Sequence, residues 1–335
     1  MTKDVYDELA DMLCSEGIRV GPGMKTPEFK EILRLQYSPD EARLAVQIGF
    51  SGGKLDELAE KTGLKKATLK KKLHAMAQKG TLWIDPASED PTYRALQVEA
   101  PGLIETAGWV SDKFPWRAEL RKQWHSYKRV YFKEGATLLG PVVPVWASVP
   151  SLPPDAQVSE NIVDAVKQAD YWCVSNCPCR IFQQTAEPDN ECQHLLETCM
   201  TFGDFGRWVA ENGFGRELTC DEAIQILRKC EYDGLIHGGS PEYGILCNCC
   251  KHACFNFVGM QLGLSHVMAP TPFVAVCDEE ACTACMICAD RCHVNAINVD
   301  SCATVDRDVC IGCGVCVVGC EQGAMRLERR SNAGK

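Results

Sequence analysis

Cysteine is nearly missing from the first 172 residues of this 335-residue chain, which hold Cys14 alone, whereas the last 163 hold the other 21. The first half therefore has no thiolate metal site or disulfide framework of its own, and sulfur chemistry belongs to the second half. The chain also lacks a secretory start. MTKDVYDELADML is charged and amphipathic, without a basic start, an apolar run and a small-residue cleavage site, so the expected location is cytoplasmic. Long apolar runs are wanting too. The longest uncharged stretch, Gly135 to Pro154, carries Pro141, Pro144, Pro150, Pro153 and Pro154, which would leave helix hydrogen bonds unmade in lipid, so no transmembrane segment is expected. GPG, GGK and GGS have neither the spacing nor the strand-to-helix setting of a dinucleotide loop. A nicotinamide or flavin would have to sit on a partner. Positive charge is in deficit: 35 basic against 45 acidic residues leave −10, which argues against a general nucleic-acid binder.

At 46% hydrophobic and 24% charged, the composition is that of an ordinary globular protein, which excludes disordered, collagen-like and coiled-coil classes. The length calls for two or three domains, because a single core stops growing at roughly 250–300 residues. In a reducing compartment thiolates are metal ligands by default.

Residues 1–50 show helical periodicity at Val5, Leu9, Met12 and Leu13, then Phe29, Ile32 and Leu33, then Leu44, Ala45 and Ile48. Leu55, Leu58 and Ala59 predict a short helix ending at Gly63. Leu69, Leu73, Met76 and Ala77 predict a longer one ending at Gly80. A hairpin over residues 81–85 and 92–98 follows, with a turn containing Pro86 and Pro91. This order over residues 27–98 resembles the winged helix-turn-helix of bacterial transcription regulators. Lys54, Lys61, Lys65, Lys66, Lys70, Lys71, Lys72 and Lys79 against Asp56, Glu57 and Glu60 leave residues 54–79 at +5. That would suit a phosphate backbone, but a recognition helix offering mainly lysine to base edges favours a solvated face on a protein-docking domain. Pro115, Trp116, Leu120, Trp124, Tyr127 and Tyr131 predict a further helix over residues 115–134 with an aromatic packing stripe, and Gly140–Pro154 reads as an extended connector.

Residues 282–293 read CTACMICADRCH and residues 310–321 read CIGCGVCVVGCE, two copies of C-x2-C-x2-C-x3-C set 28 residues apart. Zinc knuckles would use four thiolates, not eight in this order. The doubled motif resembles the bacterial dicluster ferredoxin. That resemblance, over residues 272–330, implies one 4Fe-4S cluster on Cys282, Cys285, Cys288 and Cys320 and another on Cys310, Cys313, Cys316 and Cys292. Phe273–Val276, Ala303–Val305 and Ala324–Leu327 read as short strands, with Ala296 and Ala324 small enough to pack beside a cube. The family's proline after the fourth cysteine is replaced by His293 and Glu321, and its glycine after the second by Met286 in the first motif, where the second keeps Gly314. His293 is expected to be an exposed turn residue.

Eleven more cysteines lie between Cys173 and Cys254. Cys220 and Cys230, on a helix opened by a Thr219/Glu222 capping box, are expected to be buried and inert. The other nine exceed packing needs, and thiolates crowded as Cys177 and Cys179 or Cys247, Cys249 and Cys250 repel unless protonated or bound to a cation. The segments CPCR (177–180), Cys199 ahead of Phe202 and Gly203, residues 234–237, and CNCC (247–250) resemble a poorly characterised family of iron–sulfur proteins from anaerobes. The expectation is a third 4Fe-4S cluster on Cys177, Cys179, Cys199 and one of Cys247, Cys249 or Cys250. Zinc is the alternative, with His252 and Cys254 as further ligands, and a noncubane or paired cluster using more of the nine also fits. His194 and His237 read as core or surface histidines, and Arg180 as paired with a carboxylate, or alternatively as a donor to a cluster sulfide.

The expected fold is α+β and multidomain: a winged-helix-like domain (1–100), a helix with a proline-rich connector (101–155), a cysteine-rich, mainly helical metal-binding domain (156–270) and a dicluster ferredoxin domain (271–330). The expected function is single-electron transfer between redox partner proteins, as a subunit of a larger anaerobic oxidoreductase. The alternatives are a redox-sensing DNA-binding regulator, or an enzyme with an open-coordination iron–sulfur site.

Overall fold

The computed structural model describes residues 4–15, 25–98, 102–133, 140–145, 161–190, 192–264 and 267–330. Three helices open the chain, α1 (Val5–Ser15), α2 (Pro27–Gln36) and α3 (Pro39–Ile48). Thr26 and Ser38 cap the second and third, each followed by proline at the first helical position, where a missing N–H costs nothing. Next come β1 (Gly53–Lys54), α4 (Leu55–Thr62), α5 (Lys66–Gln78), β2 (Leu82–Ile84) and β3 (Thr92–Ala95), with the strands in the order β1-β3-β2. Leu58, Leu69, Leu73, Met76 and Ala77 are buried, as the periodicity requires.

Two helices bridge to the second half. In α6 (Leu103–Trp109), Gly108 lies so close to Pro178 that a Cβ there would come within 2.4 Å of the proline ring. In α7 (Arg117–Lys133), Leu120, Trp124, Tyr127 and Tyr131 are buried, and the stripe packs as a seam: Phe29 of α2 stacks on Tyr127 at 5.7 Å, and Phe255 meets Tyr131 edge-on at 5.7 Å.

A seven-stranded sheet, not expected from the sequence, is the centre of the middle region, in which helical residues still outnumber strand residues. It is built from β4 (Gly140–Val143), β5 (Trp172–Asn176), β6 (Glu197–Phe202), β7 (Arg216–Leu218), β8 (Ile236–Ser240), β9 (Ile245–Cys249) and β10 (Met268–Ala269), in the order β10-β4-β8-β9-β6-β5-β7. All neighbours are antiparallel except β10 and β4. Five helices accompany it: α8 (Ile162–Gln168), α9 (Pro178–Ala186), α10 (Gly203–Glu211), α11 (Cys220–Asp233) and α12 (Phe255–Gln261). The strands escape sequence reading because cysteine, glycine and asparagine occupy places where alternating branched residues would mark them. β4 belongs to this sheet, so the start of the expected connector is a strand; its continuation over residues 146–160 lies outside the described residues.

The N-terminal region is not a separate body. Trp83 of β2 stacks on Trp208 at 5.5 Å and on Phe205 at 6.1 Å, both on α10, and one apolar core runs from Tyr6 to Val267. The last unit pairs β11 (Phe273–Cys277) with β14 (Met325–Arg329) and β12 (Ile297–Val299) with β13 (Ala303–Val305), and adds two single-turn helices, α13 (Ile287–Asp290) and α14 (Val315–Val318). Among the described residues no helix is long and apolar enough to cross a membrane.

Candidate metal centres

The eight cysteines of the doubled motif line two cavities. Cys282, Cys285, Cys288 and Cys320 line one, together with Cys277 and Ala324. Cys292, Cys310, Cys313 and Cys316 line the other, together with Ala296. Each cavity thus takes three thiols from one motif and the fourth from its twin. Both motifs turn left-handed at matching positions, φ 52° and 67° at Ala284 and Met286 and φ 69° and 81° at Gly312 and Gly314. Gly312 has no alternative, because a Cβ would come within 2.1 Å of Thr271 Oγ1, whereas Met286 keeps its side chain half exposed. Backbone N–H groups point at sulfur, as where Ala296 donates to Cys292 at 3.2 Å. The cavities differ in burial. The N–H groups of Ala284 and Ala303 hold the Cys282 thiol low, and Cys285 is exposed. Burial instead pushes Cys313 up to about 12 and Cys316 well up. Four soft donors, N–H groups on sulfur and a small-residue wall suit a 4Fe-4S cube.

The 4Fe-4S binding domain model matches residues 303–326, which carry the second motif. The C-terminal unit is a ferredoxin-type 4Fe-4S domain. No curated protein and no solved structure matches the chain.

His293, expected on an exposed turn, is buried between the ferredoxin-type domain and the middle region. Its Nδ1 accepts the Lys251 N–H at 3.2 Å and its Nε2 donates to the Gly234 carbonyl at 2.7 Å. Arg291 adds to this junction, donating to the Glu231 and Tyr232 carbonyls at the end of α11 and to Val315.

The nine middle cysteines divide into three groups. Six are neighbouring thiols that influence one another in the order Cys177, Cys179, Cys254, Cys249, Cys247 and Cys199, and Cys199 also feels the charge of Cys177, which nearly closes a ring. β9 supplies Cys247 and Cys249, whose side chains share a face because strand side chains alternate. Cys199 lies one residue beyond the Met200–Leu246 pair of β6 and β9, and so beside Cys247. Cys177 and Cys179 open α9 around Pro178, and Cys254 opens α12.

Shared hydrogen bonds and burial split the ring's titration. Cys177, Cys199 and Cys249 are pushed well up, while Cys247 and Cys254, each flanked by two neighbouring thiols, are held well down. At Cys179 the Cys177 bond pulls the other way, but Cys254 and burial carry it to about 12. Six neighbouring thiols that cannot all ionise together without help are the kind of soft donor set that a cation stabilises. Lys128 of α7 is buried beside it, its Nζ donating to the Ala253 carbonyl at 2.6 Å.

Cys250, one of the three alternatives for the fourth ligand, lies apart from the ring. It is one step out of phase with Cys247 and Cys249, and its Sγ lies 3.5 Å from that of Cys192. Cys254, expected as a zinc ligand or as part of a larger cluster, lies among the six. Cys173 is a core thiol apart from both groups, pushed up to about 11 by burial. Cys230 is buried as expected, but Cys220 at the start of α11 is only half-buried.

The remaining motif residues form the scaffold. Arg180 donates to the Leu195 carbonyl, Thr198 Oγ1 and the Asn248 carbonyl, each at 2.8 Å, so its hydrogen bonds are to backbone and hydroxyl groups and not to a carboxylate. Burial works against its charge, and the neighbouring Cys177 and Cys250 thiols hold it protonated. Asn248 donates to the Thr198 carbonyl and accepts from His237, which is fully buried and meets Glu231 through Nε2.

Proposed function

We propose that this chain passes single electrons through two 4Fe-4S clusters in its ferredoxin-type domain and a third iron–sulfur centre in the six-thiol ring. One observation carries the reading: Cys313 of the buried cavity and Cys249 and Cys254 of the ring pack into the same apolar cluster, around Val145, Phe257 and Ile311. The exposed cavity, the buried cavity and the ring therefore succeed one another from surface to interior. Cys282, Cys285, Cys288 and Cys320 would hold the outer cluster, Cys310, Cys313, Cys316 and Cys292 the inner one. A cube supplies one-electron chemistry; the protein supplies the order, the dry path and the charge. The half-exposed Met286 and Ile287 beside Cys285 offer a redox partner its approach, which fits a cytoplasmic subunit of a larger oxidoreductase.

The test is iron and acid-labile sulfide per chain in anaerobically purified protein. Eight of each belong to two cubes; the proposal requires more, with a reduced-state paramagnetic signal beyond the coupled pair. Eight iron atoms with no further signal would remove the third centre.

A regulator is the second reading, because Lys65, Lys66, Lys70 and Lys71 are exposed on α5, in the winged-helix-like segment. Against it, the hairpin that would act as the wing is packed on α10, where Glu211 accepts from the Ala87 N–H. Sequence-preferring duplex binding that changes with cluster oxidation state would favour the regulator; weak, salt-erased binding would report only the lysines.

A further inference from the structure

The ring leaves two Cys-x-His triplets unused, Cys192-Gln193-His194 and Cys250-Lys251-His252. Two sulfurs and two nitrogens, one ligand atom from each cysteine and histidine, all lie within 4.8 Å of one another. We propose that these four residues bind one zinc ion in a Cys2His2 site distinct from the ring, and that the ion fixes the chain between β9 and α12 that joins the ring thiols Cys249 and Cys254.

The distances suit a single tetrahedral ion. Zn–S bonds of about 2.3 Å and Zn–N bonds of about 2.0–2.1 Å put neighbouring donors roughly 3.3–3.8 Å apart, and the two sulfurs are 3.5 Å apart. A disulfide would bring them to about 2.05 Å. A Rieske centre uses the same donors but places the sulfurs on one iron and the nitrogens on another, separating the pairs by a second metal. Magnesium and calcium prefer oxygen donors, and a mixed set of two thiolates and two imidazoles is the zinc pattern.

The surroundings are those of a built site. His194 Nδ1 lies 3.1 Å from Asp233 Oδ2, which also accepts the Leu195 N–H at 3.0 Å. The carboxylate thus holds the imidazole proton on Nδ1 and leaves Nε2 as the ligating atom, the usual outer support of a zinc-bound histidine. The backbone N–H of His194 serves the Cys192 sulfur and that of Ala253 the Cys250 sulfur. One helical turn separates this site from the ring, for Cys254 N–H donates to the Cys250 carbonyl at 3.2 Å. The zinc assignment does not depend on what fills the ring; only its role in presenting ring thiols rests on the function proposed above.

The test uses the full chain purified anaerobically. Metal analysis should find one zinc per chain, and zinc-edge absorption should find two sulfur and two nitrogen neighbours. Cys192→Ser and His194→Ala should each lower zinc at least tenfold while the ferredoxin-type signals persist. Asp233→Asn, which keeps shape and hydrogen bonding, should weaken zinc roughly 10–100-fold in competition with a chelator. Zinc-free protein, iron in these four ligands, an all-sulfur zinc site, a Cys192–Cys250 disulfide, or zinc unchanged in Cys192→Ser would each overturn the proposal. One zinc with only eight iron atoms would keep the zinc site and remove the third iron–sulfur centre; iron above eight without zinc would do the reverse.

Discussion

His293 donates from Nε2 to the Gly234 carbonyl at 2.7 Å, so a residue directly after cluster-motif Cys292 is tied to the end of α11 in the middle region. This explains why histidine stands where dicluster ferredoxins carry proline: a proline there could not span the junction. His293→Pro should leave both cavities able to assemble cubes but release the tail, costing about 1–3 kcal/mol for the buried partners left unsatisfied. Limited proteolysis reads this as faster cleavage between residues 264 and 272, with unchanged ferredoxin-type spectra.

The ring assigns Cys254 and Cys199 the same role as Cys177 and Cys179. Serine at either position keeps size and removes the soft donor, so iron should fall toward eight per chain while the tail signals persist. Cys173→Ser, outside the ring, should not change iron content. Equal loss of iron from all three variants would show misfolding instead.

Lys128 places an ammonium in a buried setting beside Cys179 and the Ala253 carbonyl. A unit charge within several ångströms at an effective dielectric constant of about 20 is worth a few kcal/mol, or on the order of 100 mV for one electron. Lys128→Gln should therefore make the middle centre harder to reduce by that order, as followed by redox titration of its paramagnetic signal. The outer, more exposed ferredoxin-type cluster should shift by less, since solvent and distance screen it most.

Met286 holds a left-handed backbone with φ 67°, which costs a side-chain-bearing residue roughly 1 kcal/mol. Met286→Gly should stabilise the first motif by about that amount, seen as slower loss of iron to a chelator in mild denaturant. An unchanged or faster loss would show that the Met286 side chain compensates the strain.

Glu41 connects α3 to α5 through Lys79 at 2.6 Å. Burial raises its pKa, but the Lys79 and Ser38 hydrogen bonds outweigh it and the net shift is downward. A lowered folded-state pKa contributes stability above the unfolded carboxyl value of about 4.3, and that contribution fades as pH falls through the folded value. Glu41→Gln should cost about 1 kcal/mol at pH 7, and the difference from wild type should shrink below about pH 4. Hydrogen-exchange protection of α3 and α5, compared between the two proteins at each pH, measures it.

The ferredoxin-type tail was legible because the resemblance rests on local spacing, three cysteines on one loop and a fourth at a fixed offset. The helices and hairpin of residues 27–98 were legible for the same reason: apolar periodicity, caps and turns act within a few residues. Nothing local could divide the middle cysteines. Whether Cys250 turns toward Cys247 or toward Cys192 depends on the pleat of β9, which reverses side-chain direction at each residue, and on which strand lies beside it. The two Cys-x-His triplets were visible signals for the second site, but 58 residues separate Cys192 from Cys250. Only the antiparallel pairing of β9 with β6 and β8, and the hydrogen bonds from Arg180 of α9 to Leu195, Thr198 and Asn248, bring such distant donors to one point.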